Sequence, residues 1–375
     1  MLISDKKILM ISTMGINDLP TRKQRIARKL SLNNEVIYLQ APLTLLGVCK
    51  TRAKIRSFVL SQEKNLCVVQ PPAILPFGLK VGFFHRINSI YFRTFVQKLL
   101  KKKQFAPDIL WFYLPDFPDL ATDYPQAITV YDCVDDHASY PGLRNPAFVR
   151  KLEQQLTETS NVIFATTHEL AERLRKSNKN VYCIPNGVDW DHFGAKAYTE
   201  MKEQSGIPHP RVGYLGAIHH WFDLDLIKYL LDALPEIHLV IAGPKQRADL
   251  TALSEHPSLH LLGRVSVEQA PSCIEAWDVC LIPFIPNDLT LNISPLKFFE
   301  YCSRGKPTVS IPIQQLKQYE HLCYLYHDHN SCVDSIRKAL SEAPDLKQER
   351  RKLAQQHSWE GKLQEMFQHI ANMLG

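Results

Sequence analysis

Residues Leu281–Val309 read LIPFIPNDLTLNISPLKFFEYCSRGKPTV. The apolar run Val279–Pro283 that enters this stretch has the length and composition of a buried strand. A polar loop, Asn287–Ser294, follows. Pro295 is suited to open a helix, because the first helical position has no partner for the N–H that proline lacks. The helix carries Lys297 and Glu300 and stops at Gly305, a residue fit for the left-handed position past a helix end. Lys306-Pro307 then leads to a second apolar run, Thr308–Ile311. Strand, loop, helix, strand is the repeating unit of a parallel sheet, so the stretch predicts an α/β fold.

That geometry has chemical consequences. A helix N-terminus beyond the carboxyl end of a parallel strand presents free N–H groups and a positive dipole end to an anion. The backbone of Pro295 and Leu296 would form that end. Lys297, in the first turn, adds a mobile cation. Glu300, one turn on, can accept hydrogen bonds from two adjacent hydroxyls such as those of a ribose. An ordinary amphipathic helix, with Leu296, Phe299 and Cys302 inward and Lys297 in solvent, accounts for the same residues.

Working outward, more such units appear. Lys7–Ser12 reads as a strand with Gly15 in the turn beyond it, Arg22–Leu32 as a helix and Glu35–Gln40 as a strand, a β-α-β start. Pro107–Leu114 and Ile128–Tyr131 read as further strands. The latter ends in Asp132-Cys133-Val134-Asp135-Asp136-His137, where three carboxylates and an imidazole would perturb one another if buried. One of them could take a proton from an acceptor hydroxyl or hold sugar hydroxyls; an acidic turn capping the next helix is the plain alternative. A second series starts at Arg211-Val212-Gly213-Tyr214-Leu215-Gly216, with Gly213 and Gly216 placed at a strand end where a diphosphate can approach bare backbone. Leu259–Leu262 ends in Gly263-Arg264-Val265. Ala354–Leu374 reads as one closing helix with Trp359, Leu363, Met366, Phe367 and Ile370 at helical spacing.

Several of these strings resemble the GT-B glycosyltransferases, in particular glycosyltransferase family 4 (group 1). The family signature is a Glu, seven residues, a second Glu, and a helix ending in Gly-Lys-Pro. Glu300 and Gly305-Lys306-Pro307 match its second half, whereas Asn292 stands where the first Glu, a donor-sugar contact, belongs. Pro185-Asn186-Gly187-Val188-Asp189 resembles the segment joining the two GT-B domains. The PLKxxEY variant and GYxGxIxxWFD, here Gly213–Asp223, are similar to a subgroup of teichuronic-acid and surface-polysaccharide enzymes. The resemblance covers most of residues 105–375 and is weaker before that.

It implies two Rossmann-like, doubly wound parallel-sheet domains facing across a cleft. The expected division is 1–186 for the acceptor, 187–354 for the nucleotide-sugar, and 355–375 as a helix packing back on the first domain. In the family, the strand end here occupied by Asp132 faces the donor sugar, and the turn matching Gly263-Arg264-Val265 meets the nucleobase. The Arg and Lys that many members carry after the first glycine turn are replaced by Ala217 and Trp221-Phe222-Asp223, which shifts phosphate charge to Lys297. The candidate catalytic residues are Asp132, Asp135 and Lys297. The candidate donor-binding set is Gly15, Gly213, Gly216, Gly263, Arg264, Val265, Asn292, Pro295, Leu296, Lys297 and Glu300.

Bulk composition narrows the function classes. The chain has 375 residues, 45% hydrophobic and 22% charged, as in a soluble globular protein of two domains. No apolar run approaches the ~18 residues of a membrane helix, and the N-terminus reads as a strand, not a signal peptide. Nine scattered cysteines without a C-x-x-C pair fit a reducing cytoplasm and give no disulfide framework or zinc site. No metal or other cofactor is expected, and the fifteen histidines read as surface or packing residues.

The net charge of +6 is unevenly spread: residues 1–110 hold 19 Lys and Arg against 5 Asp and Glu. Within residues 50–103 the basic side chains interleave with Phe77, Phe83, Phe84, Tyr91, Phe92 and Phe95. Basic amphipathic segments with aromatics lie on anionic membrane surfaces; a core helix, Ile90–Leu100, with a solvated basic face is the alternative. A nucleic-acid partner fits the charge, but no recognition motif supports one. The expected function is transfer of a sugar from a nucleotide-diphosphate donor, a UDP-sugar by family frequency, to a hydroxyl of a lipid-linked bacterial surface glycan, with retention and without metal. The expected place is the inner face of the plasma membrane. A nucleotide-sugar epimerase of the same fold and a catalytically silent scaffold are the alternatives.

Overall fold

The computed structural model describes residues 3–12, 14–17, 21–51, 58–139, 143, 145–244, 255–291 and 293–374. Arg52, Lys54, Arg56 and Asn292 therefore lie outside the described residues. The chain divides into two compact units, Met1–Pro185 with Leu363–Gly375, and Asn186–Lys362. Each is an α/β layer structure around a mostly parallel sheet.

The first unit holds eight strands: β1 Lys7–Ile11, β2 Glu35–Leu39, β3 Phe58–Gln62, β4 Leu66–Gln70, β5 Ile109–Phe112, β6 Ile128–Cys133, β7 Val162–Ala165 and β8 Val181–Cys183. Their order is β3-β4-β2-β1-β5-β6-β7-β8. Only β3, at the edge, runs antiparallel. The interior strands are buried along nearly their whole length and are rich in Val, Ile and Leu, as burial of both faces under helices requires. Helix α1, Arg22–Leu30, crosses from β1 to β2 with Ile26, Ala27 and Leu30 buried. Helices α2, Leu45–Thr51, and α3, Gly82–Lys102, come from the basic, aromatic-rich part of the chain and the residues just before it. Helix α3 is 21 residues long, well beyond the expected Ile90–Leu100.

The second unit holds β9 Arg211–Leu215, β10 His238–Ala242, β11 Leu259–Gly263, β12 Val279–Ile282, β13 Thr308–Ser310 and β14 Tyr324–Leu325, all parallel, in the order β11-β10-β9-β12-β13-β14. Its core runs from Val188 to Ala354 and includes the fully buried Trp277.

The single closing helix expected over 354–374 is two helices, Leu346–Gln356 and Trp359–Leu374. Backbone pairing is the reason for the break. Val188 donates its N–H to the His357 carbonyl at 2.9 Å, and Trp359 donates to the Val188 carbonyl at 2.9 Å. Gly187 permits that approach, since a Cβ there would stand 2.8 Å from the Trp359 nitrogen. Within the first unit, the end of the last helix is seated by His369 stacked on Tyr182, ring centroids 3.6 Å apart.

Candidate active site

In the second unit the connections β9→β10→β11 step one way across the sheet and β12→β13→β14 step the other. The switch lies between β9 and β12, and the crevice beyond their carboxyl ends is where such sheets bind ligands. Gly216 follows β9, and its N–H donates to the Ala242 carbonyl at 2.9 Å. Gly243 follows β10 with φ +149°, packed so closely that a Cβ would stand 1.8 Å from the Gly216 oxygen. Its own N–H donates to the Gly263 carbonyl at 2.7 Å, and Gly263 ends β11 with φ +68°. Three neighbouring strands thus end in glycine turns laced to one another.

Beyond β12 the chain runs through a short helix, Asp288–Leu291, not expected in the polar loop, to the helix Leu296–Ser303. Pro295 is the residue before that helix rather than its first member. The helix closes with Lys306 N–H on the Tyr301 carbonyl at 3.1 Å and Gly305 N–H on the Cys302 carbonyl at 2.8 Å. This paired closure needs the left-handed Gly305, φ +71°. Phe298, Phe299, Tyr301 and Cys302 are buried, and the Tyr301 hydroxyl accepts the Leu215 N–H at 3.0 Å. Helix and glycine turn are therefore fixed together.

Lys297 and Glu300 point to the same side of that helix. The ammonium donates to Glu300 Oε2 at 2.9 Å, with the lysine side chain 29% and the glutamate 11% exposed. The cation expected to be mobile is held by its neighbour. Burial pushes the Tyr214 phenol up, a hydrogen bond with Trp221 opposes this, and the charge of Glu300 adds to it. The Tyr214 hydroxyl donates to the Ala217 carbonyl at 3.1 Å, so Glu300 lies close to the turn that follows β9. The Ser294 hydroxyl, just ahead of the helix, is buried with no hydrogen-bond partner among the described residues. Arg264 is exposed and Val265 half-buried beyond Gly263. His219 stacks on Trp221 at 4.2 Å, a packing role.

Gly213 requires correction. It is the middle residue of β9, paired on one side with Val240 and on the other with Cys280. A Cβ there would fall 1.9 Å from the Trp277 ring. The glycine makes room for a core indole and its backbone belongs to the sheet, so it offers nothing to a phosphate.

In the first unit, the switch lies between β1 and β5. Strand β6 is longer than expected and includes Asp132, which is 0% exposed. Its two oxygens accept from Arg22 Nε at 2.9 and 3.0 Å. Arg22 also donates to the Ile184 carbonyl at 2.8 Å and to Met366 Sδ at 3.7 Å. Burial pushes the Asp132 carboxyl up, with Arg22 the main opposing influence. The expectation that Asp132 takes a proton from an acceptor gives way: its oxygens face a guanidinium inside the protein, not a ligand.

Asp135 remains exposed on the bend after β6. The loop carrying it is pinned by Asp136, which accepts from Arg150 at 2.5 Å, and by buried Glu153, which accepts from Arg150 at 3.2 Å, from the Tyr131 hydroxyl at 3.1 Å and from Arg173. Lys23, in the first turn of α1, is buried with its ammonium 5.8 Å from the Tyr113 ring centroid. Burial depresses that ammonium, while Asp135 and Asp132 hold it up. Burial likewise lowers His137. The Gly15 carbonyl accepts from Gln24 Nε2 at 2.8 Å.

The structure thus gathers Gly216, Gly263, Pro295, Leu296, Lys297 and Glu300 at the carboxyl end of the second unit's sheet, and Gly15, Asp132 and Asp135 at that of the first unit's own sheet. Sequence reasoning missed Arg22, Lys23, Gly243 and Ser294 as members of these ends. Arg22 and Lys23 read as two charges among many on a basic helix; only the pairing with Asp132 marks them. Among the described residues no cluster of three or more His, Cys, Asp or Glu is arranged to hold a metal ion.

Residues 209–342 match the model of the family described as glycosyl transferases group 1. A similar chain is the putative teichuronic acid biosynthesis glycosyltransferase TuaH of Bacillus subtilis (strain 168), 24% identical, with 94% of this chain and 93% of that one covered. Among solved structures, sucrose-phosphate synthase from Thermosynechococcus elongatus superposes with a TM-score of 0.73 at 13% identity, over 98% of this chain and 99% of that one. Anabaena HepE in complex with UDP-glucose gives 0.63 at 15% identity, over 98% and 99%.

Proposed function

We propose, for this group 1 glycosyltransferase of GT-B architecture, that it moves a sugar from a nucleotide-diphosphate donor, a UDP-sugar, to a hydroxyl of a lipid-linked bacterial surface glycan. The single observation that carries the donor half is the convergence of the Lys297–Glu300 pair with the Gly216 turn at the switch between β9 and β12. A diphosphate arriving there would replace Glu300 as the partner of Lys297. Glu300 would then accept the two ribose hydroxyls. N–H groups in the first turn of the helix Leu296–Ser303 that follow Leu296 would meet the remaining phosphate oxygens. As the glycosidic bond breaks, charge grows on the leaving diphosphate, and these fixed donors stabilise it without reorganising.

The similar B. subtilis chain, a putative teichuronic acid biosynthesis glycosyltransferase, supports the acceptor half, and the HepE complex with UDP-glucose supports the donor half. Asp135, exposed on the bend after β6, is the candidate carboxylate for an acceptor hydroxyl. Transfer with retention and without a metal ion follows the family resemblance. Work at an anionic membrane surface on the cytoplasmic side follows instead from the basic, aromatic-rich composition of residues 50–103. No described helix is long and apolar enough to cross a membrane.

A thermal-shift panel of nucleotide-sugars tests the donor assignment. UDP-sugars should raise the melting temperature of the wild type and not of Lys297→Ala. A panel in which no nucleotide-sugar shifts the protein sinks the reading.

A further inference from the structure

Helix α3 is built inside out over its first half. Its inward positions are polar: His85, Asn88 and Ser89 are 8%, 2% and 2% exposed. Each is satisfied by hydrogen bonds. His85 Nε2 meets the Asp116 carbonyl at 2.7 Å, Asn88 exchanges bonds with the backbone of Leu75 at 2.8 and 3.0 Å, and Ser89 donates to Asp119 at 3.0 Å. The outward positions are mostly apolar: Phe83 is 69%, Ile87 38%, Ile90 56% and Tyr91 48% exposed, with Arg86 exposed among them. The second half reverts to the ordinary arrangement, with Phe92, Val96 and Leu100 buried and Lys98, Lys101 and Lys102 outside. A helix in water turns its apolar stripe to the core. The first half of α3 has satisfied its inward face with polar groups and spent its apolar residues on the outside.

The surroundings continue the pattern. Ten of the twelve large hydrophobic side chains exposed among the described residues fall between Leu45 and Tyr91. They come from α2, the edge strand β3, the segment 77–81 and α3. The start of α2 is tied to the segment before α3 by Leu45 N–H on the Ile74 carbonyl at 2.9 Å. Exposed apolar side chains concentrated in this way mark an interaction site. Charge identifies the partner: residues 50–103 carry twelve Lys and Arg and one acidic residue, Glu63. Such a face repels a second copy of itself. Apolar side chains flanked by cations, Lys80 among them at 4.9 Å from the Phe77 ring, suit the boundary of an anionic lipid leaflet.

We infer that the first half of α3 is an in-plane membrane wedge: Phe83, Ile87, Ile90 and Tyr91 enter the acyl boundary of an anionic leaflet while Lys80 and Arg86, beside them, meet its headgroups. The inference rests on the lipid-surface part of the function proposed above and names the surface that performs it. It also makes the inward polar residues necessary, because they hold α3 with its apolar side out.

The test uses the full chain and flotation with vesicles of phosphatidylcholine alone or equimolar with phosphatidylglycerol. The wild type should float with the anionic vesicles, and salt at ~0.5 M should weaken this. Phe83→Glu with Ile90→Glu should lower binding by about tenfold or more, whereas Leu32→Glu, at an exposed apolar position outside the patch, should not. Phe83→Trp should show a blue-shifted emission on adding anionic vesicles. If the wild type floats and the double variant floats equally, the wedge is wrong and the lipid-surface reading survives. If the wild type ignores anionic vesicles while UDP-sugars still shift its melting temperature, both membrane statements fail and the donor reading stands. If the double variant instead abolishes self-association of the wild type, the occupant is a second copy and the wedge is overturned.

Discussion

Lys297 Nζ lies 2.9 Å from Glu300 Oε2, one helical turn apart and both facing the end of β9. Two oppositely charged groups thus neutralise each other. Partial exposure makes the pair worth about 0.3–0.5 kcal/mol of stability. Its consequence is for binding.

Lys297→Ala should therefore leave the melting temperature nearly unchanged. Transfer should fall by about 10²–10³, the effect of removing one charged stabilising contact. Glu300→Ala should lose a similar factor, mainly through weaker nucleotide-sugar binding. Steady-state kinetics with calorimetry decides it. Wild-type turnover in either variant refutes the site.

Gly213→Ala and Gly243→Ala should both damage the second unit. The first drives a methyl into Trp277 and the second into the Gly216 carbonyl. Overpacking of this kind costs about 1–3 kcal/mol or more, read from chemical denaturation. Gly263→Ala meets no atom within 4 Å but must hold φ +68°, so its cost of about 1 kcal/mol is purely conformational. Equal stability of Gly213→Ala and wild type would return that glycine to the list of ligand contacts.

The Arg22–Asp132 pair is buried on both sides, 3% and 0% exposed. Asp132→Ala or Arg22→Ala alone should cost about 3–5 kcal/mol, since each strands a charge in the interior. Removing both together, Arg22→Leu with Asp132→Leu, should recover much of that loss. The non-additivity in a double-mutant cycle is the readout. Full stability with lost transfer in Asp132→Ala would restore the aspartate as a chemical participant.

Acid should destabilise the second unit through His357. Burial, with Lys362 adding, lowers this imidazole to about 4. Its folded value lies below its unfolded value near 6.5, so the unfolded chain binds the extra proton first. Stability is full above the unfolded pKa and falls as pH drops from about 6.5 toward 4. His357 stacks on Phe299 at 4.6 Å and meets the Tyr319 hydroxyl at 3.0 Å. His357→Gln should flatten the pH dependence of the melting temperature in that window; an unchanged slope assigns the effect elsewhere.

Much of the candidate site in the second unit was legible in the sequence because it is made locally. Lysine and glutamate one turn apart in a helix and glycine after it are all neighbours in the chain, and their spacing survives folding unchanged. Gly213 misled because a glycine at a strand end and a glycine inside a strand read alike until the facing residue is known, and Trp277 is 64 positions away. Asp132 misled for the same reason, its partner being 110 positions distant. The break at His357-Ser358 was hidden because hydrophobic spacing continues across it, while the backbone of Val188 takes the hydrogen bonds.

By itself the chain determined the alternation of strand and helix, the helix ends and the uneven charge, for these depend on side-chain type and on contacts a few residues long. Tertiary structure alone decided which charges are spent in the interior and which face outward. Desolvation is the physical reason: a carboxylate beside a guanidinium inside a sheet and one on a bend look identical in sequence, and only burial against a particular partner separates them.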